Sequence, residues 1–187
     1  MEMPARHLNE AGFETLSVPY PSFRKPLPEL VAEVAAAFPP TEKTTHFVTH
    51  SMGGIVLRCL AAKRPDLVTG GVVMLAPPNH GSEIIDWLED SPLGKYSLGP
   101  GGMNLSTDKV CEGVPNFPVG QRVDVIMGRR STVPFFRFLL VGENDGIVTV
   151  EGGRLPGVRN FEVVDADHTF MMGNREVLER VVSWLQS

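Results

Sequence analysis

Cysteine is scarce in this chain: Cys59 and Cys111 are the two among 187 residues. Nothing in their spacing demands a disulfide framework, and both read as free thiols, which fits a reducing compartment. Cationic residues are also in short supply, with 17 Lys and Arg against 22 Asp and Glu and a net charge of −5. Binding nucleic acid takes clustered Lys and Arg, so this balance argues against a nucleic-acid partner. No stretch approaches the roughly 20 consecutive apolar residues of a membrane span. The opening Met1-Glu2-Met3-Pro4-Ala5-Arg6 has no apolar signal-peptide core, and the chain is expected to be cytoplasmic. Internal repeats and low-complexity segments are lacking as well.

What is present is ordinary for a globular protein: 42% hydrophobic and 21% charged residues. The length suits a single domain over residues 1–187 with a sizeable core. Met1 to Gly12 reads as the tail of a helix, with Gly12 as its terminating residue. Phe13 to Val18 alternates and predicts a strand. Leu27 to Phe38 has helical spacing and is stopped by Pro39-Pro40. Gly70 to Ala76 is a continuous apolar run, the mark of a strand covered on both faces. From residue 82 to about 120 the periodicity degrades. Ile84, Ile85, Trp87 and Leu88 suggest a short helix there, and the glycines suggest loop, so a lid or cap over a substrate pocket is expected. Val123 to Met127 and Phe161 to Val164 are further strands, and Val177 to Leu185 is a terminal amphipathic helix with Val181, Val182 and Trp184 inward. Strands alternating with helices predict an α/β fold, a mostly parallel sheet with helices on both faces.

The chain is organised around Thr45-His46-Phe47-Val48-Thr49-His50-Ser51-Met52-Gly53-Gly54-Ile55-Val56-Leu57. Phe47 and Val48 suit a buried strand, and Ile55 to Ala61 recur at helical spacing. Between them Ser51 falls where the strand must stop, and the two glycines allow a sharp turn and a close helix. A serine on such a turn points its hydroxyl out of the sheet, the physical content of the G-x-S-x-G nucleophile elbow, here with Thr49 in place of the first glycine. The plain alternative is a strand–helix turn with Ser51 as N-cap.

A nucleophilic serine needs a base, and the base needs an orienting group. Of the five histidines, His7 lies near the terminus and His46 starts a strand. His50 adjoins Ser51, so its side chain is expected to point away. His80 and His168 follow strands, where loops of an open α/β sheet converge on one crevice. His168 is the better base, being last in chain order. For the orienting acid, Asp145 sits in a loop that Gly146 turns; Glu143, Asp165 and Asp167 are alternatives.

Together the elbow, the Leu75-Ala76-Pro77-Pro78-Asn79-His80-Gly81-Ser82-Glu83 loop, the Asn144-Asp145-Gly146-Ile147-Val148 turn and the Asp167-His168-Thr169-Phe170 loop resemble the α/β-hydrolase fold, and within it small bacterial lipase- and esterase-like enzymes. The resemblance covers nearly everything from Phe13 onward. It implies Ser51 as nucleophile, Asp145 as acid, His168 as general base and the Met52 N–H as an oxyanion donor, with His80 a further candidate near the substrate. The implied activity is hydrolysis of a small-molecule ester with an apolar acyl group, without metal or organic cofactor. Phe135, Phe136 and Phe138 are candidates to line the acyl pocket or the core. A degenerate hydrolase that binds without turnover, and an acyltransferase or thioesterase using the same residues, are the competing readings. Oligomeric state is not legible.

Relative to that pattern the chain starts inside or just before the helix that ends near Gly12. The apolar strand and His-Gly loop that precede this helix in such enzymes, and supply a second oxyanion N–H, are therefore expected to be missing. The strand normally lies between Phe13–Val18 and Thr45–Thr49, so its loss would leave a gap of roughly 4.8 Å. Three outcomes are expected to be possible: a start upstream, direct pairing of the two flanking strands, or a second chain over the edge. Losing one oxyanion donor costs on the order of 10²–10³ in rate, so weak activity is expected.

Overall fold

The apolar runs of the sequence form a four-stranded parallel sheet in the computed structural model, which describes residues 2–22, 24–89, 99, 102, 105–131 and 140–187. Strands β1 (Phe47–His50), β2 (Val72–Leu75), β3 (Val123–Gly128) and β4 (Asn160–Val164) stand in the order β1-β2-β3-β4. The register sets Phe47 beside Val72, Val72 beside Val123 and Asp124 beside Asn160. The helices are α1 (Glu2–Glu10), α2 (Leu27–Ala36), α3 (Met52–Lys63), α4 (Glu83–Glu89), α5 (Thr107–Gly113) and α6 (Arg175–Gln186).

Side chains alternate across a strand, and the alternation here builds two cores. Val72 and Met74 of β2, with Val123, Val125 and Met127 of β3, meet Leu30, Val31 and Val34 of α2 and the apolar side of α3. Val73, Leu75 and Ile126 face the other way, onto Val177, Val181 and Leu185 of α6, with Leu8 of α1 at the margin. All of β2 and β3 is buried, as the continuous apolar run predicts for strands covered on both faces. The charge inside β3 is accommodated by pairing. Asp124 Oδ1 accepts from Arg159 Nε at 3.0 Å and from Asn160 Nδ2 at 2.8 Å, and Oδ2 accepts from Arg159 Nη2 at 2.6 Å. That fork ties β3 to the start of β4.

On α6 the seam runs through Val177, Val181 and Leu185 at i, i+4 spacing; Val182 and Trp184, expected inward, are half-buried on its flank. Asn174 caps this helix by accepting from the N–H of Glu176 at 2.9 Å.

Phe13–Val18 is not a strand. Its first N–H turns back to Leu8 O at 3.0 Å, behind Gly12 at φ +91°, and closes α1. Alternation marks a half-buried segment, but a strand also needs a hydrogen-bonded neighbour, and none lies alongside among the described residues. Direct pairing of this stretch with β1 therefore does not occur. β1 is the edge of the four-stranded sheet and is half-buried along its length.

Between β2 and β3, α4 and α5 are pinned to each other. Asp86 accepts from the Thr107 N–H at 2.9 Å and from the Thr107 hydroxyl, and Lys109 pairs with Glu89 at 2.8 Å. Leu105, Val110 and Val114 belong to the core on the α2–α3 side, so the flank of the irregular stretch is core rather than loop. Residues 90–98, 100, 101, 103 and 104 lie outside the described residues, as do Phe135, Phe136 and Phe138.

Buried Arg58 of α3 joins these parts. Its Nε donates to Pro115 O at 2.9 Å, Nη1 to Asn79 O at 3.0 Å and Oδ1 at 3.3 Å, and Nη2 to Val114 O at 3.1 Å and Asn116 Oδ1 at 3.3 Å. The helix that follows Ser51 is thereby fixed to the loops after β2 and α5.

Candidate functional site

The site begins with the backbone of Ser51, between β1 and α3, at φ +53° and ψ −127°. A non-glycine residue there costs on the order of 1–3 kcal/mol and persists because its surroundings impose it. Here the Ser51 N–H is held by Leu75 O at 2.8 Å. Its side chain makes no capping bond to α3, so Ser51 is not the N-cap serine of an ordinary turn. The glycines that follow let the helix sit close. A Cβ at Gly54 would stand 2.5 Å from Met74 Cε and 3.1 Å from Pro77 Cβ. A Cβ on Gly53 would meet the Thr49 Cβ at 3.4 Å, an ordinary contact. The Thr49 hydroxyl is buried without a hydrogen-bond partner among the described residues.

From Ser51 a chain of hydrogen bonds runs inward. Ser51 Oγ is 3.0 Å from His168 Nε2, and His168 Nδ1 is 2.7 Å from Asp145 Oδ2. These three residues are separated by 117 and 23 positions in the sequence; parallel strand ends bring them together. His168 lies four residues beyond β4, and its N–H donates to Asp145 O at 3.0 Å. Asp145 is fully buried in a tight loop bridged from Asn144 to Thr149. Its second carboxylate oxygen accepts from Ile147 N–H at 3.0 Å and Val148 N–H at 2.8 Å, which fixes the rotamer that presents Oδ2 to the imidazole. With Asp145 as carboxylate, Nδ1 carries the proton and Nε2 is left as acceptor for the serine hydroxyl. Such an array can take the hydroxyl proton as the oxygen attacks a carbonyl carbon.

The alternative acids are placed elsewhere. Asp167 Oδ1 accepts from the N–H of Thr169 and of Phe170, both at 2.9 Å, and so shapes the turn after the histidine. Glu143 and Asp165 are exposed. Met52 opens α3, where its N–H has no acceptor within the helix. His80 is exposed; its N–H donates to Gly152 O at 3.0 Å, and it lines a groove with Arg154, Leu155 and Phe161. No hydrogen bond or ring contact joins His80 to Ser51, His168 or Asp145 among the described residues. No group of three or more His, Cys, Asp or Glu side chains gathers there to hold a metal ion either.

One residue near the site has a partner that its sequence expectation did not include. The His50 side chain makes no hydrogen bond or ring contact with Ser51 among the described residues, but its Nε2 is 2.8 Å from the carbonyl oxygen of His168, and the two rings are 4.8 Å apart. Burial, together with the neighbouring His168, pushes the His50 pKa down to about 4. Strand alternation was the available signal. His50 shares a face with Val48, which packs on the core that includes Val164 and Ala166, beside the loop of His168.

No protein-family model matches the chain, and no curated protein sequence does. Solved structures do resemble it. The mature lipase BlEst2 of Bacillus licheniformis is 24% identical over 83% of this chain and 69% of that one, with a TM-score of 0.53. The metagenomic carboxyl esterase MGS0156 is 24% identical over 79% of this chain, with a TM-score of 0.60, and only 52% of its own length is covered. The lipase of Staphylococcus hyicus is 13% identical over 98% of this chain and 86% of its own, with a TM-score of 0.71. At such identities the likeness is one of architecture. The architecture shared with these lipases and esterases, a parallel sheet with helices on both faces, is the α/β-hydrolase fold, and this chain has it.

Proposed function

We propose that the chain is a serine carboxylester hydrolase working through an acyl-enzyme on Ser51. The observation that carries this reading is His168 bridging Ser51 Oγ at 3.0 Å and Asp145 Oδ2 at 2.7 Å. His168 Nε2 takes the hydroxyl proton as Ser51 Oγ forms a bond to the ester carbonyl carbon. The tetrahedral intermediate collapses, the carbon–alkoxide bond breaks, and the alcohol leaves with the proton from His168. Water then repeats the sequence on the acyl-enzyme and releases the acid. Asp145 holds the imidazole in the tautomer required and stabilises the imidazolium. The Met52 N–H, free of the helix ladder, is an oxyanion donor in this scheme.

The proposed substrate is a small ester with an apolar acyl group. Phe170, two residues beyond His168, is 72% exposed and offers an apolar surface on the same loop. The irregular stretch from residue 82 to about 120 is proposed as a cap; the Asp86–Thr107 bonds pin together the two helices described within it. His80, exposed and unconnected to the three residues among those described, takes no part in this scheme.

The test is hydrolysis of a short-chain p-nitrophenyl ester by the chain and by Ser51→Ala. Wild-type turnover that falls to background in Ser51→Ala, with stoichiometric fluorophosphonate labelling of Ser51, is the expected result. Equal turnover by the two proteins would overturn the assignment. A folded wild type that neither turns over nor labels would favour the degenerate, ligand-binding reading, and product analysis with added alcohol or thioester would expose a transferase or thioesterase.

A further inference from the structure

We infer that His50 is a positioning residue for His168, holding the base through its main-chain carbonyl and against the face of its ring. The inference rests on the serine-hydrolase reading above for its kinetic consequences, but its geometry stands alone. His168 has four polar groups, and each has a partner: the N–H donates to Asp145 O at 3.0 Å, Nδ1 bonds Asp145 Oδ2 at 2.7 Å, Nε2 bonds Ser51 Oγ at 3.0 Å, and the carbonyl accepts from His50 Nε2 at 2.8 Å. Only the last is supplied from outside the Ser51–Asp145 pair. A carbonyl can only accept, so His50 Nε2 carries hydrogen. His50 also abuts the imidazole, with ring centroids 4.8 Å apart and planes inclined at 49°.

Two constraints follow from one side chain. The hydrogen bond fixes the peptide that carries the base, and the ring contact limits how far the imidazole can swing from Ser51. Because β1 ends at His50 and the next residue is Ser51, the strand that delivers the nucleophile also delivers the brace for its base. The charge state suits this role. The groups that face His50 are His168 and Asp145; His168 disfavours a protonated His50 and Asp145 favours it, while burial dominates and keeps the ring neutral at pH 7. A neutral brace adds no repulsion against the imidazolium that forms on His168 during proton transfer.

His50→Phe keeps a ring and removes the donor; His50→Gln places an amide N–H near the Nε2 position. With p-nitrophenyl ester, His50→Phe is expected to lower kcat by about 10- to 100-fold, as a slightly misplaced base does, with KM changed by less than about 2-fold. His50→Gln is expected to recover most of kcat. Circular dichroism and melting of both variants refer kcat to folded protein. A second readout needs no turnover: the downfield proton resonance of the His168 Nδ1–H bonded to Asp145. It is expected in the wild type and in His50→Gln, and shifted or lost by exchange in His50→Phe. Equal kcat in wild type and His50→Phe, equal loss in both variants, or an unmoved resonance in His50→Phe would overturn the inference. A wild type without Ser51-dependent turnover removes the hydrolase reading instead, and the resonance then decides the positioning role by itself.

Discussion

Ser51, Thr49 and His50 are neighbours under different demands. Ser51 carries backbone strain, and the sheet imposes it through the bond to Leu75 O. Thr49 stands where the elbow pattern has glycine, and its side chain would meet a Cβ on Gly53 or Gly54 only at ordinary contact distances, 3.4 and 3.6 Å. Its cost is polar rather than steric, because Oγ1 is buried without a partner among the described residues. Thr49→Val keeps the shape and deletes the unsatisfied hydroxyl. It is expected to stabilise the fold by about 1 kcal/mol, read as a higher denaturation midpoint at unchanged slope, with little change in turnover. A lower midpoint would show that the hydroxyl has a partner, such as a bound water.

Among the elements, β3 has the most to say about the site. Its last residue, Gly128, pairs with Val164 and lies against both loops that carry Asp145 and His168. A Cβ there would fall 2.3 Å from Ala166 O and 2.9 Å from Asp145 Cβ. Neither is the end of a flexible side chain, so the two loops would have to separate. Gly128→Ala is expected to destabilise by about 1–3 kcal/mol and to cut turnover far more than the loss of folded protein explains. The control is Gly113→Ala at the end of α5, where a Cβ meets nothing within 4 Å. That change is expected to be neutral or stabilising by up to about 1 kcal/mol. Melting curves and ester hydrolysis on both variants check the pair; similar behaviour would deny Gly128 its place in the site. Arg58 acts at the same scale, since its five oxygen partners on separate loops hold the roof of α3 in one arrangement.

Across the whole molecule, protonation links the site to stability. The His50 pKa lies at about 4, below its ordinary value of 6.5. Burial, with a smaller contribution from Arg122, also lowers that of His46. The unfolded chain therefore binds protons through the window from about 6.5 down to 4 that the folded chain does not. Stability is greatest above 6.5 and is lost as pH falls through that window, by on the order of 3 kcal/mol from His50. The melting temperature of the wild type is expected to drop between pH 6.5 and pH 4, and His50→Gln is expected to show a shallower drop. Parallel curves for the two proteins would mean that His50 titrates normally in the folded chain. No helix among the described residues is long and apolar enough to cross a membrane.

The apolar run at Val72–Leu75, the turn at Ser51 with its glycines and the loops around Asp145 and His168 were legible because each is a local property: burial on both faces removes alternation, and turn chemistry is written in neighbouring residues. The residues alone left Glu143, Asp165 and Asp167 beside Asp145 as candidates, and it was the resemblance to the α/β-hydrolase pattern that nominated Ser51, Asp145 and His168 together. Tertiary structure decided the rest. Phe13–Val18 alternates like a strand but has none beside it, and a hydrogen-bond ladder is a property of two segments, not one. The choice of Asp145 over Asp167 rested on which loop the strand ends bring against His168 and which carboxylate the adjacent N–H groups had already taken. Alternation gave the face of His50, but that the loop of His168 meets it there was decided by the fold. Those are distances between residues far apart in sequence, fixed only when the parallel strands are in register.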